Sequence, residues 1–119
     1  MPRFVILEHD HPVLHWDLML ESGAVLRTWR LAAPPRAGEV ITATATFDHR
    51  TIYLDYEGPV SSDRGRVIRR EFGMFAWQTQ AVDRVVIRLD GAQLRGILRL
   101  EQAEGDSWYG DFISDSIGS

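Results

Sequence analysis

The chain has 119 residues, 45% hydrophobic and 25% charged, the balance of a folded domain and not of a disordered segment. It contains no cysteine and no lysine, which excludes disulfides, thiolate nucleophiles, cysteine zinc sites, Schiff-base chemistry and a Walker-type phosphate lysine. The net charge of −4 is uneven: residues 101–119 carry five acids and no base, while residues 1–100 hold 12 acids against 13 arginines, a near-neutral body that neither demands nor forbids a nucleic-acid partner.

The length predicts a single domain over 1–119. The opening apolar run Phe4–Leu7 reads as a buried strand and ends at Glu8, too short for a signal-peptide core or a spanning helix, so a soluble, cytoplasmic protein with no membrane partner is expected. From Leu14 to Glu21 the pattern alternates, with Leu14, Trp16, Leu18 and Leu20 on one face and His15, Asp17, Met19 and Glu21 on the other. A turn at Ser22-Gly23 leads into Ala24–Leu31 as a hairpin partner, and the prolines and glycine of 32–38 mark a loop. Val40–His49 and Thr51–Tyr56 read as strands, the second stopping at Gly58-Pro59. Arg66–Phe72, Val85–Leu89, Leu94–Leu100 and Trp108–Ile113 continue the series, with Asp90-Gly91 as a hairpin turn and Gly73–Gln80 as a short helix or loop. The small polar tail, 114–119, is expected to fray. About seven or eight short strands with turn signals between them indicate an all-β barrel or sandwich with little helix.

The histidines cluster. His9, His11 and His15 fall within seven residues, and His49 stands beside Asp48. Asp17 follows His15 by two, so on a strand both side chains leave the same face. Two imidazoles and a carboxylate suit a hard-to-borderline metal ion, Zn²⁺ or another divalent cation, with open positions for water and substrate. The alternative is a histidine-bearing turn without a ligand. The run Arg64-Gly65-Arg66-Val67-Ile68-Arg69-Arg70 is a basic cluster that suits either a solvated strand edge or a nucleic-acid patch. Trp16 and Trp29 are assigned to the core by periodicity, and Met19, between Leu18 and Leu20, reads as a gap-filler or as part of a site.

The stretch Phe4-Val5-Ile6-Leu7-Glu8-His9, five residues, then His15-Trp16-Asp17-Leu18-Met19-Leu20-Glu21 resembles the opening motif of the 3′-phosphoesterase domain of bacterial DNA ligase D. The similarity continues through Gly23–Trp29 and resumes at Asp48-His49-Arg50-Thr51-Ile52-Tyr53-Leu54-Asp55-Tyr56-Glu57-Gly58, becoming loose beyond. The resemblance implies a small, closed or partly open antiparallel β-barrel and a divalent metal, usually Mn²⁺. It implies removal of a 3′-terminal ribonucleoside and then the 3′-phosphate from nucleic-acid ends, with a DNA ligase or repair polymerase as partner. By position His9, Asp17 and His49 would be the metal ligands, His15 a phosphate contact or proton donor, and Tyr53 an active-site tyrosine. The family's phosphate-gripping arginine falls at Met19, a lysine at Ala33, a glutamate at Phe47 and a second arginine near Ile41. Arg27, Arg50, Arg64 and Arg66 are candidate substitutes. The departures also motivate a non-catalytic DNA-end or repair-partner binding module of the same fold. A third reading, a cupin-like or 2-His-1-carboxylate iron enzyme, would use the His9-Asp10-His11 pair and make His11 a ligand.

Overall fold

The computed structural model describes residues 1–115. Nine strands form in chain order: β1 (Arg3–His9), β2 (His15–Ser22), β3 (Val25–Leu31), β4 (Ile41–Arg50), β5 (Gly58–Pro59), β6 (Arg66–Gln80), β7 (Arg84–Gly91), β8 (Arg95–Glu104) and β9 (Ser107–Ser114). Every pairing is antiparallel, and β1-β2-β3-β4-β9-β8-β7-β6 closes into an eight-stranded barrel through β6–β1, with the short β5 flanking β6. Closure removes the exposed edges that an open sheet of this length would present.

Alternation sorts the apolar residues into two clusters. Phe4 and Ile6, Leu18 and Leu20, Trp29 and Leu31, Ile41 and Ala43, with partners from the other four barrel strands, fill the lumen, where Trp29 meets Trp108 edge-on. The intervening residues Val5, Leu7, Met19, Leu26 and Val67 point outward and form a second cluster, capped by Leu54 from the segment between β4 and β6. One wall of the barrel is therefore apolar on both faces, and the outer face is where the histidines emerge.

Three elements differ from the sequence expectation. Thr51–Leu54 is a 3₁₀ turn and not a strand, despite its β-branched residues. Beyond Arg50, which pairs with Val25 at the β2–β3 turn, β4 has no neighbour left, so the chain bends back and buries Leu54. Gly73–Gln80 extends β6 and is neither helix nor loop. Its signal was masked by Gly73, whose φ is +156° and where a Cβ would lie 2.4 Å from the Asp90 carbonyl oxygen. Ser114 belongs to β9, and the Asp115 amide donates to the Arg95 carbonyl (2.9 Å), so these two residues are anchored, while 116–119 of the expected frayed tail lie outside the described residues. Trp16 and Trp77 are half-buried against the lumen cluster. No helix among the described residues is long and apolar enough to cross a membrane.

Candidate functional site

Register places the chemistry. In the β1–β2 hairpin His9 pairs with His15 and Leu7 with Asp17, and Asp17 in turn pairs with Arg30 on β3. Directly opposed residues share a face, so His9, His15, Asp17 and Arg30 form one patch on the outer wall. Above it lies a cleft of about 480 Å³, floored by Met19 and lined by His9, Asp17, His49, Tyr53 and three arginines, Arg30, Arg50 and Arg64.

Each imidazole is held by one ring nitrogen. His9 Nε2 donates to the Arg64 carbonyl (2.7 Å), and His15 Nδ1 donates to the Val13 carbonyl (2.8 Å). A carbonyl can only accept, so those nitrogens carry the proton and the other one is free to face inward. His9 Nδ1 lies 3.6 Å and His15 Nε2 3.2 Å from the same oxygen, Asp17 Oδ2. The Thr28 hydroxyl donates to the Leu26 carbonyl (2.9 Å), which leaves its oxygen to accept from His49 Nδ1 at 3.0 Å. Holding one ring nitrogen fixes the tautomer and orientation of a metal-ligating histidine. Nitrogen and carboxylate donors in this state fit a divalent cation. Ligand atoms of His9, His15 and Asp17 lie within 4.8 Å of one another.

His49 enters from β4. Burial pushes its pKa below the ordinary value, opposed by the charge of Asp17, the Phe47 carbonyl and Asp48, and reinforced by His9. The pull of Asp17 and the push of His9 place this imidazole within electrostatic reach of the cluster. Its strand carries a bulge: His49 pairs with Leu26 and Thr46 with Thr28, so Phe47 and Asp48 together face Arg27 alone. Gly65, at φ +76°, brings the Arg64 carbonyl over His9, since a Cβ there would lie 2.1 Å from Asp10 Oδ1. Tyr53 reaches the cleft from the 3₁₀ turn, its ring edge-on to His49 at 5.7 Å between centroids.

The remaining candidates separate. His15 is buried behind Asp17 and is not part of the cleft lining. His11 and His49 both line the cleft but stand outside the tight ligand group of His9, His15 and Asp17. Arg50 and Arg64 line the cleft, although Arg64 also bonds Ser61 through Nε (2.9 Å) and Nη2 (3.1 Å). Arg27 does not reach it: its guanidinium lies 4.7 Å from the Trp29 ring centre and donates to the carbonyls of Ala81 (3.1 Å) and Val82 (3.3 Å), its pKa lowered by burial. Arg66 is exposed outside the lining, its backbone amide bonded to Asp10 Oδ1 (2.8 Å). The basic run is split by a register shift at β6, with Arg70 paired to Glu8 (3.1 Å) and Arg69 over Phe72. Arg30 was missed by sequence reasoning. Its signal was the hairpin register, because pairing Ser22 with Val25 sets Arg30 opposite Asp17.

A family model described as the DNA ligase D 3′-phosphoesterase domain matches residues 7–102. The multifunctional non-homologous end joining protein LigD of Mycobacterium bovis is 30% identical over 114 residues, covering 88% of this chain and 15% of the relative. The multifunctional non-homologous end joining DNA repair protein LigD of Mycobacterium tuberculosis matches with the same identity and coverage. The chain thus spans about 15% of the length of these curated relatives.

Proposed function

The chain belongs to the DNA ligase D 3′-phosphoesterase domain family, and on that premise we propose that it is a divalent-metal-dependent phosphoesterase acting on 3′-phosphate or 3′-ribonucleotide ends of DNA in repair. The observation that carries this reading is the set of held imidazoles around Asp17, each with one nitrogen fixed by an oxygen acceptor. His9, Asp17 and His49 would hold the cation, Mn²⁺ on the resemblance. Bound there, it would lower the pKa of a water and offset phosphoryl charge.

The chain's own groups supply the rest. Arg30 and Arg50 flank the cleft with no hydrogen-bond or ion-pair partner among the described residues, so both guanidinium groups are free to meet phosphoryl oxygens. His15, held by Val13 through Nδ1 and beside Asp17 Oδ2 through Nε2, would orient that carboxylate from behind the cleft, and the phosphate contact or proton donation that the resemblance implies would have to pass Asp17. Tyr53 would orient the phosphate or the leaving group from the opposite lip. A DNA ligase or repair polymerase is the proposed partner, and the cytoplasm the proposed compartment.

The direct test is incubation with Mn²⁺ and a primer ending in a 3′-phosphate or a single 3′-ribonucleotide. The expected outcome is a 3′-hydroxyl product that the His9→Ala control does not form. A second reading, a non-catalytic end-binding module, draws on the anion contacts that the resemblance would put at Met19, Ala33 and Phe47 and near Ile41, of which Met19 floors the cleft and Ile41 lies in the lumen. It predicts end binding that a chelator leaves unchanged, with no turnover.

A further inference from the structure

Phe47 is 72% exposed, more than Tyr109 (49%) or Phe72 (42%), the other exposed aromatic side chains among the described residues. Its placement is defined: one ring face lies nearly parallel to the His49 imidazole, at 4.6 Å between centroids and 18° between planes. The opposite face is open at the rim of the cleft. The β4 bulge creates this arrangement, since two residues, Phe47 and Asp48, stand opposite Arg27 where a regular ladder would place one. A flat apolar ring with one face backed and the other free is suited to a second flat ring. Arg30 and Arg50 line the same cleft, so this ring and positive charge share one cavity.

We propose that Phe47 is the platform on which the base of a 3′-terminal nucleoside stacks, so that the cleft favours ends carrying a nucleoside over ends carrying a bare phosphate. This rests on the reading of the cleft as a site for 3′ ends. Stacking of a base on an aromatic side chain tolerates any base, because every base presents a π-face. The preference is therefore for the presence of a base and not for its identity.

The test uses two single-stranded DNA oligonucleotides, identical except that the 3′-terminal ribonucleoside carries adenine in one and no base in the other. Their binding to the full chain is measured by fluorescence anisotropy in chelator, so that no turnover occurs. The base-bearing oligonucleotide is expected to bind about 5- to 150-fold more tightly, the range for one stacked base. Phe47→Ala and Phe47→Leu erase the difference, and Phe47→Trp keeps it. A terminal 2-aminopurine is quenched on binding by the wild type and not by Phe47→Leu. Equal binding of the two oligonucleotides, no binding of either, or a preference retained by Phe47→Leu overturns the proposal; the last outcome would make Phe47 an apolar cover for His49. Turnover with Mn²⁺ is scored separately. Hydrolysis without a base preference removes the platform alone, and a base preference without hydrolysis removes the catalytic reading and supports the platform.

Discussion

A substitution at Thr28 tests whether His49 belongs to the proposed metal site. The Thr28 side chain is buried on the outer face of β3, donates to Leu26 and accepts from His49 Nδ1. Thr28→Val keeps the shape but deletes both hydrogen bonds and leaves the half-buried His49 N–H without its acceptor. At roughly 1 kcal/mol for each bond, the expected loss of folding stability is about 2 kcal/mol, read from urea unfolding in chelator. If His49 is a ligand, the loss of its orienting partner lowers Mn²⁺ affinity by about 10- to 100-fold, measured by calorimetry on the folded protein. Thr28→Ser retains the hydroxyl and recovers most of both quantities. The reasoning fails if Thr28→Val loses stability yet binds Mn²⁺ as the wild type does. The cation would then rest on His9, His15 and Asp17, the group whose ligand atoms already lie within 4.8 Å of one another.

Asp17→Asn removes the anionic oxygen that His9 and His15 both face. Saturating Mn²⁺, at about 100 times its dissociation constant, stabilises the wild type by about 2.7 kcal/mol, and this shift disappears in the variant; an undiminished thermal shift would place the metal elsewhere. Arg30→Ala weakens binding of a 3′-phosphorylated oligonucleotide by about tenfold or more, in a salt-dependent way, whereas Arg27→Ala leaves it unchanged because Arg27 is bonded to Ala81 and Val82. Equal losses in an anisotropy titration would contradict the assignment of the two arginines. Asp111 has its carboxyl pKa held below the ordinary 3.8 by its hydrogen bond to Arg99. The folded form then releases this proton more readily than the unfolded one, so its stabilisation is full above the unfolded value and is lost as pH falls through the folded one. For so exposed a pair the effect is small, and Asp111→Asn should flatten acid unfolding below the ordinary carboxylate range in low salt and much less in 1 M NaCl.

Period-2 alternation carried much of the site. It set His15 and Asp17 on one face, and the strands emerge with that polarity because Trp16, Leu18 and Leu20 are needed in the lumen. The same alternation holds information that residue type alone hides: Arg27 shares a face with Trp29 and so turns toward the lumen, whereas Arg30 falls opposite Asp17. The length of the β2–β3 turn converts the pattern into that register. Tyr53 was identified through its neighbours, yet its strand-like surroundings fold as a 3₁₀ turn, because pairing partners and not propensity decide where a strand can continue. The seat of His49 on Thr28 was not legible, since it depends on a bulge, which shifts one strand by a residue and leaves no mark in a single-strand pattern.

The positions where the resemblance would put anion contacts follow the same logic. Ile41 is buried in the lumen, and its partner across the ladder is Gly110, where even a Cβ would lie 1.6 Å from the Arg99 carbonyl oxygen. A guanidinium at Ile41 would have to desolvate inside the barrel or distort this wall, so an anion contact cannot be restored there at low cost. Met19 is likewise packed among Val5, Leu7 and Leu54, and its replacement by arginine would open the outer cluster. Arg30 and Arg50 face no such penalty, because both are exposed. His9, His15 and Asp17 are fixed by the strand register that the lumen enforces, while the exposed Arg30 and Arg50 can be exchanged without repacking. If the cleft takes a phosphate as proposed, Arg30, paired across the ladder with Asp17, is the residue on which phosphate affinity should depend most.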